Sequence, residues 1–210
     1  MAAGPSHGRI DIESCDDGNR THAMEVYLTT DRLMLRRFTP ADADLLTELD
    51  SDPAVMHYIT GGRITPRAEI VGDVLPAFLA YYQRADSMGF WAALERSSEN
   101  FIGWFHLRPT NLEEQDDVEL GYRLRRDAWG RGFATEGSRG LIHKAFTELP
   151  VRRVHAETMA VHVASRKVME KAGLRYCRTF HQDWPFPIPG DELGDVEYAL
   201  TRQEWQAAAS

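Results

Sequence analysis

The residues best placed to do chemistry lie together between Leu120 and Glu136, LGYRLRRDAWGRGFATE. Leu120, Tyr122 and Leu124 alternate with Gly121, Arg123 and Arg125, the period of a strand with one apolar face. From Phe133 the period lengthens. Ala134, Gly137, Ser138, Leu141, Ile142, Ala145 and Leu149 recur at steps of three and four, which predicts a helix with a face of small and apolar side chains. Gly130-Arg131-Gly132 stands between the two. A strand, a Gly-x-Gly turn and a helix in that order aim backbone N–H groups and the positive end of a helix dipole at one spot, the arrangement that receives a diphosphate. The dinucleotide fingerprint wants another glycine or alanine where Thr135 stands, and the triphosphatase loop wants a Gly-Lys-Ser/Thr ending that is absent. Both fail on spacing.

A third pattern fits. Asp127-Ala128-Trp129-Gly130-Arg131-Gly132, continued by Phe133-Ala134-Thr135-Glu136, resembles the pyrophosphate loop Gln/Arg-x-x-Gly-x-Gly/Ala of the GNAT superfamily of acetyl-CoA-dependent N-acetyltransferases. The extended form is similar to the branch that includes the ribosomal-protein N-terminal acetyltransferases. Asp127 departs from the pattern, since a carboxylate repels phosphate, but the backbone amides are unaffected. A second stretch, Val161 to Leu174, resembles the GNAT segment Asn-x-x-Ser-x-x-hydrophobic-x-x-Lys-x-Gly-Phe: Ser165, Lys171 and Gly173 match, while His162 stands for asparagine and Leu174 for phenylalanine. The resemblance spans roughly Leu28 to Leu200.

The resemblance implies acetyl-CoA as cosubstrate, with pantetheine amides on the backbone of Tyr122 and Leu124. The diphosphate would meet N–H groups of Gly130, Arg131, Gly132, Phe133, Ala134 and Thr135, with Trp129 at the head of the loop and His162 as a side-chain hydrogen bonder. Arg131 is the expected partner of the adenosine phosphate, with Arg125, Arg126, Arg166 and Lys167 as alternatives. Four arginines within Arg123 to Arg131 are a local excess in an acidic chain, and solvated strand-end charge is the competing explanation. Acetyl transfer to an ammonium with a pKa of ~10 needs a base. Glu119, on the strand face opposite Val118, Leu120 and Tyr122, is the candidate; a strand glutamate paired with an arginine is the alternative. A backbone N–H at a bulge that Gly121 permits would stabilise the oxyanion. Ser165 would protonate the leaving thiolate, unless it only satisfies the first turn of its helix; Tyr176 is the rival acid. A cysteine intermediate is not expected, because Cys177 reads as a core-strand residue. For the acceptor, the loop His181 to Asp195, with Trp184, Phe186, Asp183, Asp191, Glu192 and Asp195, offers an amine-selecting wall, and His57, Tyr58 and Gly61-Gly62 offer the other. Surface crossover loops would explain both equally well.

Positioning these groups requires a sheet. Leu33, Leu35 and Arg37 begin a first strand. Thr39-Pro40 and Asp52-Pro53 start short helices, and Thr65-Pro66 starts a longer one through Tyr82. Phe90 to Glu95 and Phe101 to Leu107 form a hairpin, and a polar link leads to the Glu119 strand. Val151 to Thr158 is a strand, Gly173 stops the Ser165 helix, strands at Arg175 to His181 and Val196 to Leu200 follow, and Thr201-x-x-Glu204 caps a last helix. The predicted fold is α/β (α+β): the GNAT fold, with a central mixed, mostly antiparallel sheet of about seven strands flanked by helices. Residues 1–23 read as a flexible tail and 24–210 as one domain.

Of the 210 residues, 24 are basic and 32 acidic, a net charge of -8 that disfavours nucleic-acid and anionic-membrane surfaces and suits amine partners. No apolar run approaches the ~20 residues of a membrane span. Cys15 and Cys177 have no metal-ligand spacing, nor do the eight histidines, so no metal is expected. A cytoplasmic location follows as the simplest expectation. A homodimer is common in the family, though no interface is legible. The function expected is direct transfer of acetyl to a primary amine, on a small molecule or a protein N-terminus; the alternative is a non-catalytic acyl-CoA-binding sensor module.

Overall fold

The computed structural model describes residues 25–84, 87–111, 114–182, 184 and 187–209. The expected tail at residues 1–23 and Cys15 lie outside them. Eight strands form one sheet in the order β1-β2-β3-β4-β5-β6-β8-β7. They are β1 (Val26–Thr29), β2 (Leu33–Arg37), β3 (Gly89–Glu95), β4 (Phe101–Asn111), β5 (Glu114–Leu124), β6 (Arg153–Met159), β7 (Arg175–Phe180) and β8 (Asp195–Thr201). The strand beyond the expected seven is β1. Its four residues VYLT are too few to show a period, and it exists by pairing antiparallel with β2.

Helices cover both faces. α1 (Ala43–Asp50), α2 (Pro53–Thr60), α3 (Arg67–Glu69) and α4 (Leu75–Arg84) follow β2, α3 joining α4 through a π-turn at Ile70–Val74. Their apolar sides meet Phe90, Ala92 and Trp104 through Leu46, Ile70 and Phe78. On the other face, α5 (Phe133–Glu148) and α6 (Val163–Ala172) bury Phe133, Leu141, Ile142 and Met169 against Leu35, Phe105, Val118 and Leu120. Each such large side chain stabilises the fold by roughly 1.5–3 kcal/mol when withdrawn from water. α7 (Arg202–Ala209) starts as expected: Glu204 accepts hydrogen bonds from the Thr201 N–H and hydroxyl, and the Thr201 hydroxyl accepts from the Glu204 N–H.

One break in the sheet positions the site. Every neighbouring pair is antiparallel except β5 and β6, whose parallel register covers Asp117 to Glu119 against Arg153 to His155 and then stops. Beyond Glu119, among the described residues, no strand pairs with the edge of β5 that faces away from β4. A cleft of about 1250 Å³ opens there, between α2 and α6.

Candidate active site

The loop after β5 is built by backbone conformation. Arg126–Ala128 makes a single 3-10 turn, and Gly130 and Gly132 take left-handed φ values of +71° and +84°. Side chains resist that region and glycine does not. Gly132 is the N-cap of α5, so the N–H groups of the first turn point into the cleft lined by Gly130 and Gly132 to Thr135. Glu136 anchors the turn from behind, accepting from the Thr30 hydroxyl at 2.7 Å and the Arg32 N–H at 2.8 Å.

Trp129 has a clear structural part: its indole N–H donates to the Leu124 carbonyl at 2.9 Å, closing the end of β5. Tyr122 remains on the edge beyond the β6 pairing, and its ring lines the same cleft.

The arginines of β5, the loop and α6 are engaged with neighbours in the fold. Arg131 is turned onto Glu95 and lies across the Phe133 ring, 4.6 Å from its centroid. Arg123 holds the buried Asp50 at 2.6 Å, Arg125 pairs with Glu48, and Arg126 pairs with Asp52. Arg166 donates to the Tyr198 hydroxyl and the Ala160 carbonyl. Arg123, Arg125, Arg126 and Arg131 each meet an acid that is distant in sequence, which no local pattern reveals. The cations that line the cleft are Arg108 and Arg123 of the sheet, both paired with carboxylates, and Lys167 and Lys171 of α6.

Glu119 faces the cleft, a quarter exposed, with Arg108 at 2.6 Å and the imidazole of His106 at 3.5 Å. Burial pushes its carboxyl up, but the neighbouring His106 and Arg108, the latter in a hydrogen-bonded ion pair, outweigh burial and hold it at about 2. Burial pushes His106 the other way, down, so its ring is neutral at neutral pH; among the described residues neither ring nitrogen has a hydrogen-bond partner, and the ring backs Glu119 by contact at 3.5 Å. Neither His106 nor Arg108 was singled out in the sequence, since both lie on β4 and only the antiparallel register sets Arg108 opposite Glu119 and His106 opposite Gly121. That register runs unbroken past Gly121, so the expected bulge is absent; the glycine makes room for the His106 ring instead.

On the α6 side the Ser165 hydroxyl, nearly buried, lies 3.3 Å from the Tyr122 hydroxyl, which burial pushes up to about 12. Tyr176, the rival acid, is exposed and bonded to Thr179 at 2.8 Å, because β7 is the sheet's outer strand. Cys177 beside it is exposed as well, which corrects its reading as a core residue. His162 leaves the start of α6 uncapped and stacks on Tyr58 at 4.0 Å, joining α2 to α6 across the cleft. Of the acceptor loop, Gln182, Trp184 and Asp195 line the cleft, whereas Asp191 and Glu192 accept from their own loop's N–H groups at Ile188 and Gly190. Asp183 and Phe186 lie outside the described residues. Among the described residues no group of three or more His, Cys, Asp or Glu is disposed to hold a metal ion, and no helix is long and apolar enough to cross a membrane.

A sheet opened at one parallel pair, a diphosphate-type loop beneath the opening and an anionic wall beside it define an acyl-CoA-dependent transferase. The chain belongs to the acetyltransferase (GNAT) domain family, whose sequence profile matches residues 32–175, and is an acetyl-CoA-dependent N-acetyltransferase. It is 34% identical over 184 residues to FsC-acetyl coenzyme A-N(2)-transacetylase of Aspergillus fumigatus, covering 85% of this chain and 77% of that one. Two solved structures share the fold. Spermidine N-acetyltransferase from Vibrio cholerae, in complex with CoA and spermine, superposes with a TM-score of 0.68 at 15% identity, over 84% of this chain and 99% of that one. RimL, a ribosomal-protein alpha-N-acetyltransferase in complex with coenzyme A, gives 0.69 at 17% identity, over 86% and 99%.

Proposed function

We propose that the protein transfers acetyl from acetyl-CoA directly to a primary amine that enters the cleft beside Glu119. The observation that carries this reading is that Glu119, Ser165 and the loop Gly130 to Thr135 line one cleft, at the point where β6 leaves β5. The edge of β5 around Tyr122 and the first turn of α5 suit the amide and diphosphate parts of the donor, with Lys167 and Lys171 as the nearby cations. A carboxylate held as low as Glu119 is a firm anchor for an ammonium and a weak base. Glu119 therefore binds the acceptor and passes its proton to water as the lone pair attacks the thioester carbonyl. The C–N bond forms, the C–S bond breaks, and the departing sulfur takes a proton from the hydroxyl pair of Ser165 and Tyr122. Cys177 stands outside the cleft lining, in keeping with a transfer that needs no acetyl-enzyme.

The test is a thermal-shift titration with acetyl-CoA, CoA, NAD and ATP, followed by thiol release over an amine panel. Stabilisation by acetyl-CoA and CoA above the other two, with amine-dependent thiol release, is expected. Stabilisation by CoA without release of thiol to any amine would leave a sensor and overturn the catalytic reading.

A further inference from the structure

Carboxylates on the cleft face of the sheet fall into two groups. Asp117 is paired with Arg153 and His155, Glu119 with Arg108, and Glu197 with both Arg153 and Arg178. Glu157 and Asp195 are different. Both line the cleft, and among the described residues neither forms an ion pair with Arg, Lys or His.

Asp195 is the more telling. It is 2% exposed, and its Oδ2 has no hydrogen-bond partner among the described residues. A buried carboxylate oxygen left unpartnered costs free energy in an empty cleft and recovers it when a cation arrives. The strand register places it. Glu119 is paired with His155 across β5 and β6, Glu157 with Glu197 and Met159 with Asp195 across β6 and β8. Paired residues share a face, so Glu119, Glu157 and Asp195 step across one face of the sheet. With strands ~4.8 Å apart and ~3.3 Å of rise per residue, each step is about 8 Å.

We propose that Glu157 and Asp195 form a second, cation-binding subsite, so that the acceptor carries a further ammonium or guanidinium one to two such steps, roughly 8–16 Å, from the amine that is acetylated. This rests on the acceptor entering beside Glu119, as proposed above. The acceptor class is then an aliphatic diamine or a basic amino-acid derivative, and an isolated monoamine is a poor substitute. Burial, with Glu119 and Glu197 nearby, raises the Glu157 carboxyl against the opposing charges of His155 and Arg178, and burial raises that of Asp195 against the charge of His181.

The experiment compares diaminohexane, diaminooctane and diaminodecane with hexylamine, octylamine and decylamine. It reads kcat/KM and, separately, equilibrium affinity for the CoA-saturated protein by calorimetry. Diamines of the right length should be preferred about tenfold or more in both readouts, the effect of one charge-assisted contact. Asp195→Asn and Glu157→Gln should each bring the diamine-over-monoamine ratio towards one, and Glu157, more exposed on its strand, keeps the test open if the Asp195 variant folds poorly. Equal use and equal binding of the two series, or a preference unchanged in both variants, would overturn the subsite. If no amine is acetylated yet diamines bind selectively and lose that selectivity in the variants, the subsite stands and the catalytic reading fails.

Discussion

The His106 ring occupies the space that a side chain at Gly121 would fill: a Cβ there would meet the His106 Cε1 at 2.5 Å. Gly121 thereby sets where Glu119 lies, since His106 backs that carboxylate at 3.5 Å. Gly121→Ala should cost about 1–3 kcal/mol through overpacking, and it should lower kcat/KM by tilting Glu119 while leaving CoA affinity close to wild type. Denaturant melts, CoA titration and turnover on one protein preparation separate these effects. Equal loss of CoA binding and turnover would mean the strand itself is displaced.

Glu119→Gln keeps the side chain's shape and removes its charge. Turnover should fall by about 10²–10⁴-fold, the range for a group handling a reacting proton, with CoA affinity retained. The pH profile is equally specific. Glu119 sits at about 2, so it stays ionised across the working range, and any acidic loss of activity above about pH 5 comes from the acceptor ammonium. A limb that disappears in Glu119→Gln, measured on residual activity, would contradict this.

Gly132 caps α5 at a φ of +84°. Gly132→Ala forces a side chain into the left-handed region at about 1–2 kcal/mol, or else rotates the N–H groups of the first turn. Either way CoA should bind about tenfold more weakly, a change of ~1.4 kcal/mol, which calorimetry would register directly. Unchanged affinity would show that the diphosphate does not rest on this turn.

How much of this was legible depended on whether the information was local. The Gly-x-Gly turn, the caps at Thr39, Asp52 and Thr201, and the stop at Gly173 lie in short windows, and the structure holds each of them. β1 was not legible, since four residues have no period of their own. The pairs Arg131 with Glu95, Arg123 with Asp50 and Arg108 with Glu119 join separate elements, and the tertiary packing of the loop, α1 and the β4–β5 register decides them. Tyr176 and Cys177 were misplaced for a related reason: β7 follows α6 in sequence but lies at the outer edge, beyond β8.

Acid should destabilise the fold in two stages. His106 and His162 titrate below their ordinary value, His162 at about 4 through burial and then the nearby His57. Unfolded, each takes a proton near pH ~6.5, so between that pH and the folded value the unfolded chain binds more protons. Stability is therefore present above about 6.5 and is lost as pH falls. Glu119 adds the second stage, stabilising above about 4.5 and ceasing to as pH falls towards about 2. Urea midpoints at about pH 7 and about pH 5 test the first stage. His162→Gln should flatten the difference, and an unaltered slope would place the proton uptake elsewhere.

The hydroxyls of Ser165 and Tyr122, 3.3 Å apart, come from α6 and β5 and meet at one point of the cleft. If they protonate the leaving sulfur as a pair, removing either breaks the same relay. Ser165→Ala and Tyr122→Phe should each slow turnover at saturating substrates by about tenfold or more, and the double variant should be little slower than the worse single one. A double-mutant cycle on kcat reads this coupling, while CoA affinity in the same variants reports any loss of packing. Additive losses would mean that the hydroxyls act separately. Full activity in both single variants would reduce the pair to the hydrogen bond that joins α6 to the sheet.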